Sequence, residues 1–215
     1  MNLTATYVQL SQLKVEALMP PLVAMLLCVG FTASNHPQGV PIVMNHYLDQ
    51  IDSVEDQIKW IEYIRNAMFK SIVLCGCPRV INAEIALYNH LSVQYRSLLR
   101  TTALNANGNT TLWNARGMGF FNQIYGTGSE KKQKMIQDAH PDLWQYINEI
   151  YGNIISDTTH LSAVDTELQA IVSLIQMDAL PQLQDHILGA ERVGATKEQI
   201  KAAEFIGYKV KHFLE

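Results

Sequence analysis

Two sets of residues in this 215-residue chain have types and spacing that can do chemistry. Glu167 lies near the start of an apolar helical pattern, and His186 follows nineteen residues later, beyond a break at Pro181. If the two patterns fold back as an antiparallel helical hairpin, carboxylate and imidazole meet, and such a pair can donate and accept a proton. The same pair also fits a plainer role, a buried hydrogen bond that serves packing alone. The second set is Cys75-Gly76-Cys77 ahead of Pro78. A thiol just before a helix N-terminus can be acidified by the helix dipole. One intervening residue makes a strained disulfide, however, and a free cysteine commonly packs as a small hydrophobe. No His or acid stands at the short spacing that zinc ligands show, so no metal is expected there.

The elements that must position these residues read as helices throughout. Residues 7–29 carry apolar side chains at helical spacing, interrupted or restarted at Pro20-Pro21. A loop from Thr32 to Gly39 leads to a short helix over about 41–51. Ser53 then offers an N-cap, with Asp56 placed for a near capping box, to a helix running to Leu74. Pro78 suits the first turn of the next helix, which extends to Leu98, and residues 105–110 form the clearest loop. Beyond it come helices through Trp113–Tyr125, Glu130–Ala139 and a start at His140-Pro141-Asp142. Ser162 or Asp165 caps the helix that bears Glu167, Pro181–Val193 bears His186, and Thr196 with Gln199 forms a capping box on the last helix. Gly194 sits where the His186 helix should end. His90 and His140 read as structural, His140 as a cap. Trp60, Trp113, Phe120, Phe121, Tyr125 and Trp144 read as core, subunit interface or the wall of an apolar pocket.

Composition bounds the rest. The hydrophobic share of 48% and charged share of 17% belong to a globular protein with a sizeable core, not a disordered chain. Twelve Gly and seven Pro are too few for a turn-dense sandwich or barrel, so an all-α fold is expected. Sixteen basic against twenty acidic residues, with no basic stripe, argue against nucleic acid as a partner. Three cysteines, Cys28, Cys75 and Cys77, cannot all pair within one chain, which excludes a disulfide scaffold and points to a reducing compartment. Ala17–Phe31 is apolar, but its fifteen residues contain two prolines and fall short of a bilayer span, so it reads as a core helix and no membrane contact is expected. It resembles a signal-peptide core in passing, and with Met1 present no cleavage there is expected. The terminal Phe213-Leu214-Glu215 does not match the peroxisomal Ser-Lys-Leu address, and an intracellular location, cytoplasmic or mitochondrial, is expected.

The two halves resemble each other. At an offset of 104, His36-Pro37 matches His140-Pro141, Val43 matches Ile147 and Tyr47 matches Tyr151. At an offset of 100, Ile72-Val73-Leu74 aligns with Val172-Ser173-Leu174. Duplication is the working picture, although two amphipathic helices after a His-Pro turn also look alike without it.

Glu167, the helix break, His186, Gly189-Ala190 and Gly194-Ala195-Thr196 together resemble the carboxymuconolactone decarboxylase family, relatives of the AhpD-like fold. Phe120-Phe121, Tyr125-Gly126 and His140-Pro141-Asp142-Leu143 are similar to longer fungal members with two such modules. The likeness covers roughly residues 117–204 well and the first half faintly. It implies one all-helical domain over 1–215, with a degenerate first module (1–104) and a better preserved second (111–215), that assembles as a homo-oligomer. In the peroxidase branch of the family, a Glu, a Cys-X-X-Cys pair and a His form a proton relay. Here the thiol positions fall on Ala179 and Gln182, and in the first half on Arg79 and Asn82, with Ala67 and Ala86 in place of the acid and imidazole. The decarboxylase branch lacks the thiols, and the resemblance to it implies cofactor-independent acid/base chemistry at Glu167 and His186 on a small carboxylate or lactone. Arg79, Asn82, Asn114 and Arg116 are then the candidates to hold the substrate. Thiol chemistry at Cys75 and Cys77, or a non-catalytic oligomer, stands as the alternative.

Overall fold

A computed structural model of the chain describes residues 3–103 and 108–214. Among these residues every regular element is a helix, as the apolar spacing predicts. The first half holds α1 (Leu3–Ser11), α2 (Pro20–Ala33), α3 (Gly39–Leu48), α4 (Val54–Lys70), α5 (Ile72–Cys75), α6 (Cys77–His90) and α7 (Val93–Leu98). The second holds α8 (Thr110–Tyr125), α9 (Ser129–Ala139), α10 (Pro141–Ile150), α11 (Ala163–Gln176), α12 (Leu180–Arg192) and α13 (Lys197–Leu214). A 3-10 turn at Gly126–Gly128 joins α8 to α9, and a π-helical turn at Tyr151–Ile155 prolongs α10.

Local chemistry explains where the helices begin and stop. The expected helix over 7–29 is two helices, because residues 12–19 leave helical geometry. Pro20 and Pro21 occupy the first turn of α2, where a missing N–H costs nothing, and Met19 before them is extended. Asn35 closes α2 in the left-handed region at φ 59°, letting the His36 N–H reach Phe31 O at 2.8 Å. The expected helix from Ser53 to Leu74 stops at Ser71, whose hydroxyl donates to Met68 O at 2.6 Å. The one expected over 78–98 breaks at Leu91, which is extended, and restarts where the Ser92 hydroxyl accepts the Tyr95 N–H at 3.3 Å. Of the loop over 105–110, residues 105–107 lie outside the described residues. Asn109 caps α8 by accepting the N–H groups of Thr111 and Leu112. Ser162 and Asp165 form a reciprocal capping box on α11, as do Thr196 and Gln199 on α13, and Gly194 turns at φ 102°. His140 takes the N-cap position of α10, but its side chain makes no capping hydrogen bond. His90 instead ties α6 to α3 through Asn45 Oδ1 at 2.8 Å.

Two helices form the centre. Leu22–Ala33 of α2 and Thr166–Ile175 of α11 are buried at every residue, the pattern of helices surrounded on all sides. They pack on each other and on α13. Gly30 lies under Val210, and a Cβ on Gly207 would meet Ile175 at 2.7 Å, so small residues let α13 approach. The apolar cluster around them runs from Tyr7 to Val210. Burying each of its large side chains, Met25, Leu26, Leu27 and Phe31 among them, contributes roughly 1.5–3 kcal/mol. At fourteen residues α2 spans only about 21 Å, and among the described residues no helix is long and apolar enough to cross a membrane.

A second apolar cluster fastens α8 to α10 and its π turn through Phe120, Phe121, Ile124, Tyr151 and Ile155. Its tightest point is backbone on backbone. A Cβ on Gly117 would stand 2.4 Å from Gly152 N, and one on Gly152 would stand 2.6 Å from Trp113 O. This contact sets Tyr125 and Tyr151 beside the α11–α12 hairpin.

Candidate functional site: a buried carboxylate–imidazole pair

The capping box at Ser162 fixes the start of α11 and places Glu167 in its second turn. After Gln176 the chain reverses. Asp178 adopts φ 53°, Ala179 donates to Leu174 O at 3.1 Å, and Pro181 opens α12, which packs back along α11. His186 is thereby returned to Glu167, with Nδ1 and Oε2 2.8 Å apart. Glu167 is 0% and His186 7% exposed. Gly189, one turn beyond His186, makes room for the carboxylate, since a Cβ there would lie 2.8 Å from Glu167 Oε2. The other oxygen, Oε1, is buried without a partner.

The surroundings tune the pair. Burial alone would lower the His186 pKa. The Glu167 carboxylate, by charge and hydrogen bond, and then Asp185, outweigh burial, and the net direction is up. The Tyr125 ring stands edge-on to the imidazole at 6.4 Å between centroids. Burial pushes Tyr125 up to about 12 and Tyr151, its hydrogen-bond partner, well above its ordinary value, so both keep their protons. Lys132 closes the outer side, 2.5 Å from Asp185 Oδ2 and over the Tyr125 ring. With Nδ1 engaged by a carboxylate, Nε2 is the nitrogen left to exchange a proton.

The other expected residues lie elsewhere, and several have partners of their own. Arg79 donates to Ala33 O at the end of α2 and to Met177 Sδ, ten residues or about 15 Å along the α11 side from Glu167. Asn82 is exposed and donates to Asn35 Oδ1 at 3.2 Å. Asn114 is exposed on α8. Arg116 donates to Ser156 Oγ and Gly152 O, both at 2.9 Å, and comes within 3.9 Å of Asp157 Oδ2. Cys75 is buried beside Ser71 Oγ at 3.6 Å and burial pushes its thiol up, whereas Cys77 is exposed. Both are free thiols. Among the described residues no group of three or more His, Cys, Asp or Glu can hold a metal ion.

Lys70 is a polar centre that sequence reasoning passed over. It is 4% exposed, and its ammonium donates to Ile155 O at 3.0 Å, Asp157 O at 2.5 Å and Thr166 Oγ1 at 2.9 Å. Burial lowers its pKa to about 8, against the favourable charge of Asp157. The only local signal was a cation in the last turn of a helix, which ordinarily indicates a solvated side chain facing the dipole.

No family model matches this chain. No solved structure matches it either. Among curated proteins, the chain is 27% identical over 184 residues to Peroxisomal protein 2 of Schizosaccharomyces pombe, a match that covers 85% of this chain and 82% of that protein. It is 29% identical over 160 residues to Peroxisomal protein 2 of Saccharomyces cerevisiae, covering 64% of this chain and 56% of the relative. The chain is thus an all-helical protein similar to two fungal proteins that carry a peroxisomal name.

Proposed function

We propose that this chain is a peroxisome-associated acid/base enzyme of the carboxymuconolactone decarboxylase type, acting without cofactor on a small organic acid or lactone. The observation that carries the proposal is the 2.8 Å pair of Glu167 and His186, buried on a helical hairpin. Glu167 holds the imidazole in one orientation and favours its protonated form. In a decarboxylation next to a carbonyl, the bond between the carboxylate and its carbon breaks, carbon dioxide leaves, the electron pair is delocalised onto the neighbouring carbonyl as an enolate, and the proton on His186 Nε2 passes to the carbon that lost the carboxylate. Glu167 stabilises the imidazolium before transfer and fixes the tautomer after it. Tyr125 and Tyr151, which keep their protons, supply neutral hydroxyls near the pair.

Two AhpD-like modules in one domain remain part of the proposal. The turn before α6 and the turn before α12 both contain a left-handed residue, Gly76 and Asp178, followed closely by a proline in the first helical turn. Homo-oligomerisation fits an apolar stripe on α6, where Ile81, Ile85 and Tyr88 are 53%, 54% and 49% exposed. Light scattering of the purified chain tests the assembly. The relatives' name supports the organelle, and a fluorescent fusion that stays cytosolic or enters mitochondria would overturn it.

The chemistry is tested by screening small keto acids and lactones for turnover, then assaying His186→Ala and Glu167→Gln. Both should lose about a hundredfold or more of kcat. Full turnover in His186→Ala removes the assigned role.

A further inference from the structure

A cavity of about 360 Å3 opens along the C-terminal half of α4, walled by Phe69 and Lys70, by Arg100 after α7, and by Asp157, His160 and Leu161 among others. Its volume is at the low end for small-molecule sites. Three observations give its chemistry. First, the three hydrogen bonds of Lys70 all go to neutral acceptors, two carbonyls and a hydroxyl. Arg65, by contrast, meets Glu62 and Glu84, and Lys132 meets Asp185. A buried charge is ordinarily paired, and here no carboxylate does so by contact. Second, His160 has its Nε2 buried without a partner. Third, the nearby acids are shared among more cations than there are carboxylates. Asp157 Oδ1 accepts the Thr159 N–H at 2.9 Å and its Oδ2 stands 3.9 Å from Arg116, while Glu62 Oε1 accepts from Arg65 and from the Arg100 backbone and its Oε2 stands 4.0 Å from Arg100 Nε. Asp157, Glu62 and Glu84 thus face Lys70, Arg65, Arg100 and Arg116, which leaves one cation in excess, and Phe69 and Leu161 give the cavity an apolar side.

We propose that this cavity binds a small organic carboxylate with a short apolar body, its anionic end set among Lys70, Arg100 and His160 and its body against Phe69 and Leu161. The site is separate from the catalytic pair. Thr166, whose hydroxyl accepts a hydrogen bond from Lys70, adjoins Glu167 in sequence, but Glu167 turns to α12. Binding is expected whether or not Glu167 and His186 turn anything over, so the two proposals fail independently.

The test is a titration of the full chain with hexanoate, and with hexanamide as its neutral counterpart, followed by calorimetry and amide chemical shifts at low salt. Hexanoate should saturate at about 1 mM or below and bind about tenfold tighter than hexanamide. Arg100→Gln should weaken hexanoate about fivefold or more, and Ala103→Trp, at the exposed rim, should block it. Lys70→Met should abolish it; if that variant does not fold, Arg100→Gln and Ala103→Trp decide. Equal binding of acid and amide, no saturable binding up to about 20 mM, or hexanoate binding unchanged in both rim variants overturns the site.

Discussion

His186 Nδ1 lies 2.8 Å from Glu167 Oε2, although the two are nineteen residues apart in sequence with one left-handed turn between them. The carboxylate holds the imidazolium in the folded protein more tightly than water does in the unfolded chain, so the folded pKa stands above 6.5. The stabilisation is complete below the unfolded value of 6.5 and is lost as pH rises through the folded one. Wild-type Tm should fall across that window, and the fall should be missing from His186→Gln. A flat difference between the two proteins from pH 6 to 9 would contradict the pair's charge state. Gly189→Ala, which crowds Glu167 Oε2, should lower the imidazole pKa measured by NMR.

Lys70 titrates in the opposite sense. Its folded pKa of about 8 lies below the ordinary 10.5, so the penalty of burying the ammonium is present below pH 8 and is relieved as pH rises from 8 towards 10.5. The stability of the wild type relative to Lys70→Met should increase across that interval. Saturation with a carboxylate that binds beside Lys70 should move the Nζ titration upward.

Gly117 and Gly119 lie two residues apart on α8 and answer to different neighbours. A Cβ on Gly117 would stand 2.4 Å from backbone N of Gly152, while nothing lies within 4 Å of one on Gly119. Gly117→Ala should cost about 1–3 kcal/mol or more through forced separation of α8 and the π turn. Gly119→Ala should be neutral or stabilise by up to about 1 kcal/mol, because alanine is the better helix former. Denaturant melts of the two variants separate packing from propensity.

Native thiol titration should label Cys77 readily and leave Cys28 and Cys75 protected until denaturant is added. Cys28 and Cys75 are buried, and burial pushes both thiols up. Rapid oxidation of Cys75 and Cys77 to a defined disulfide by a hydroperoxide would favour thiol chemistry instead.

Helix identity was legible in the sequence because it is local. Apolar spacing of three and four residues, proline in first turns and the boxes at Ser162 and Thr196 each involve neighbours within one turn. The pairing of Glu167 with His186 was also legible, since a hairpin with a short turn brings a fixed register together. Breaks at Ser71 and Leu91 were missed, because the apolar pattern continues through them while hydroxyls of Ser71 and Ser92 redirect the backbone.

By itself, then, the sequence determined an all-helical chain and one acid–imidazole hairpin. The tertiary structure alone decided the destinations of the cations. Arg79 reaches Met177, 98 residues away, and Lys70 reaches carbonyls 85 and 87 residues away. Those carbonyls lie at and just beyond the end of the π turn, and that turn packs on α8 where Gly117 meets Gly152. A lysine in the last turn of a helix looks the same in sequence whether it meets water or the carbonyls of a distant segment, because its burial depends on which distant backbone is packed against it.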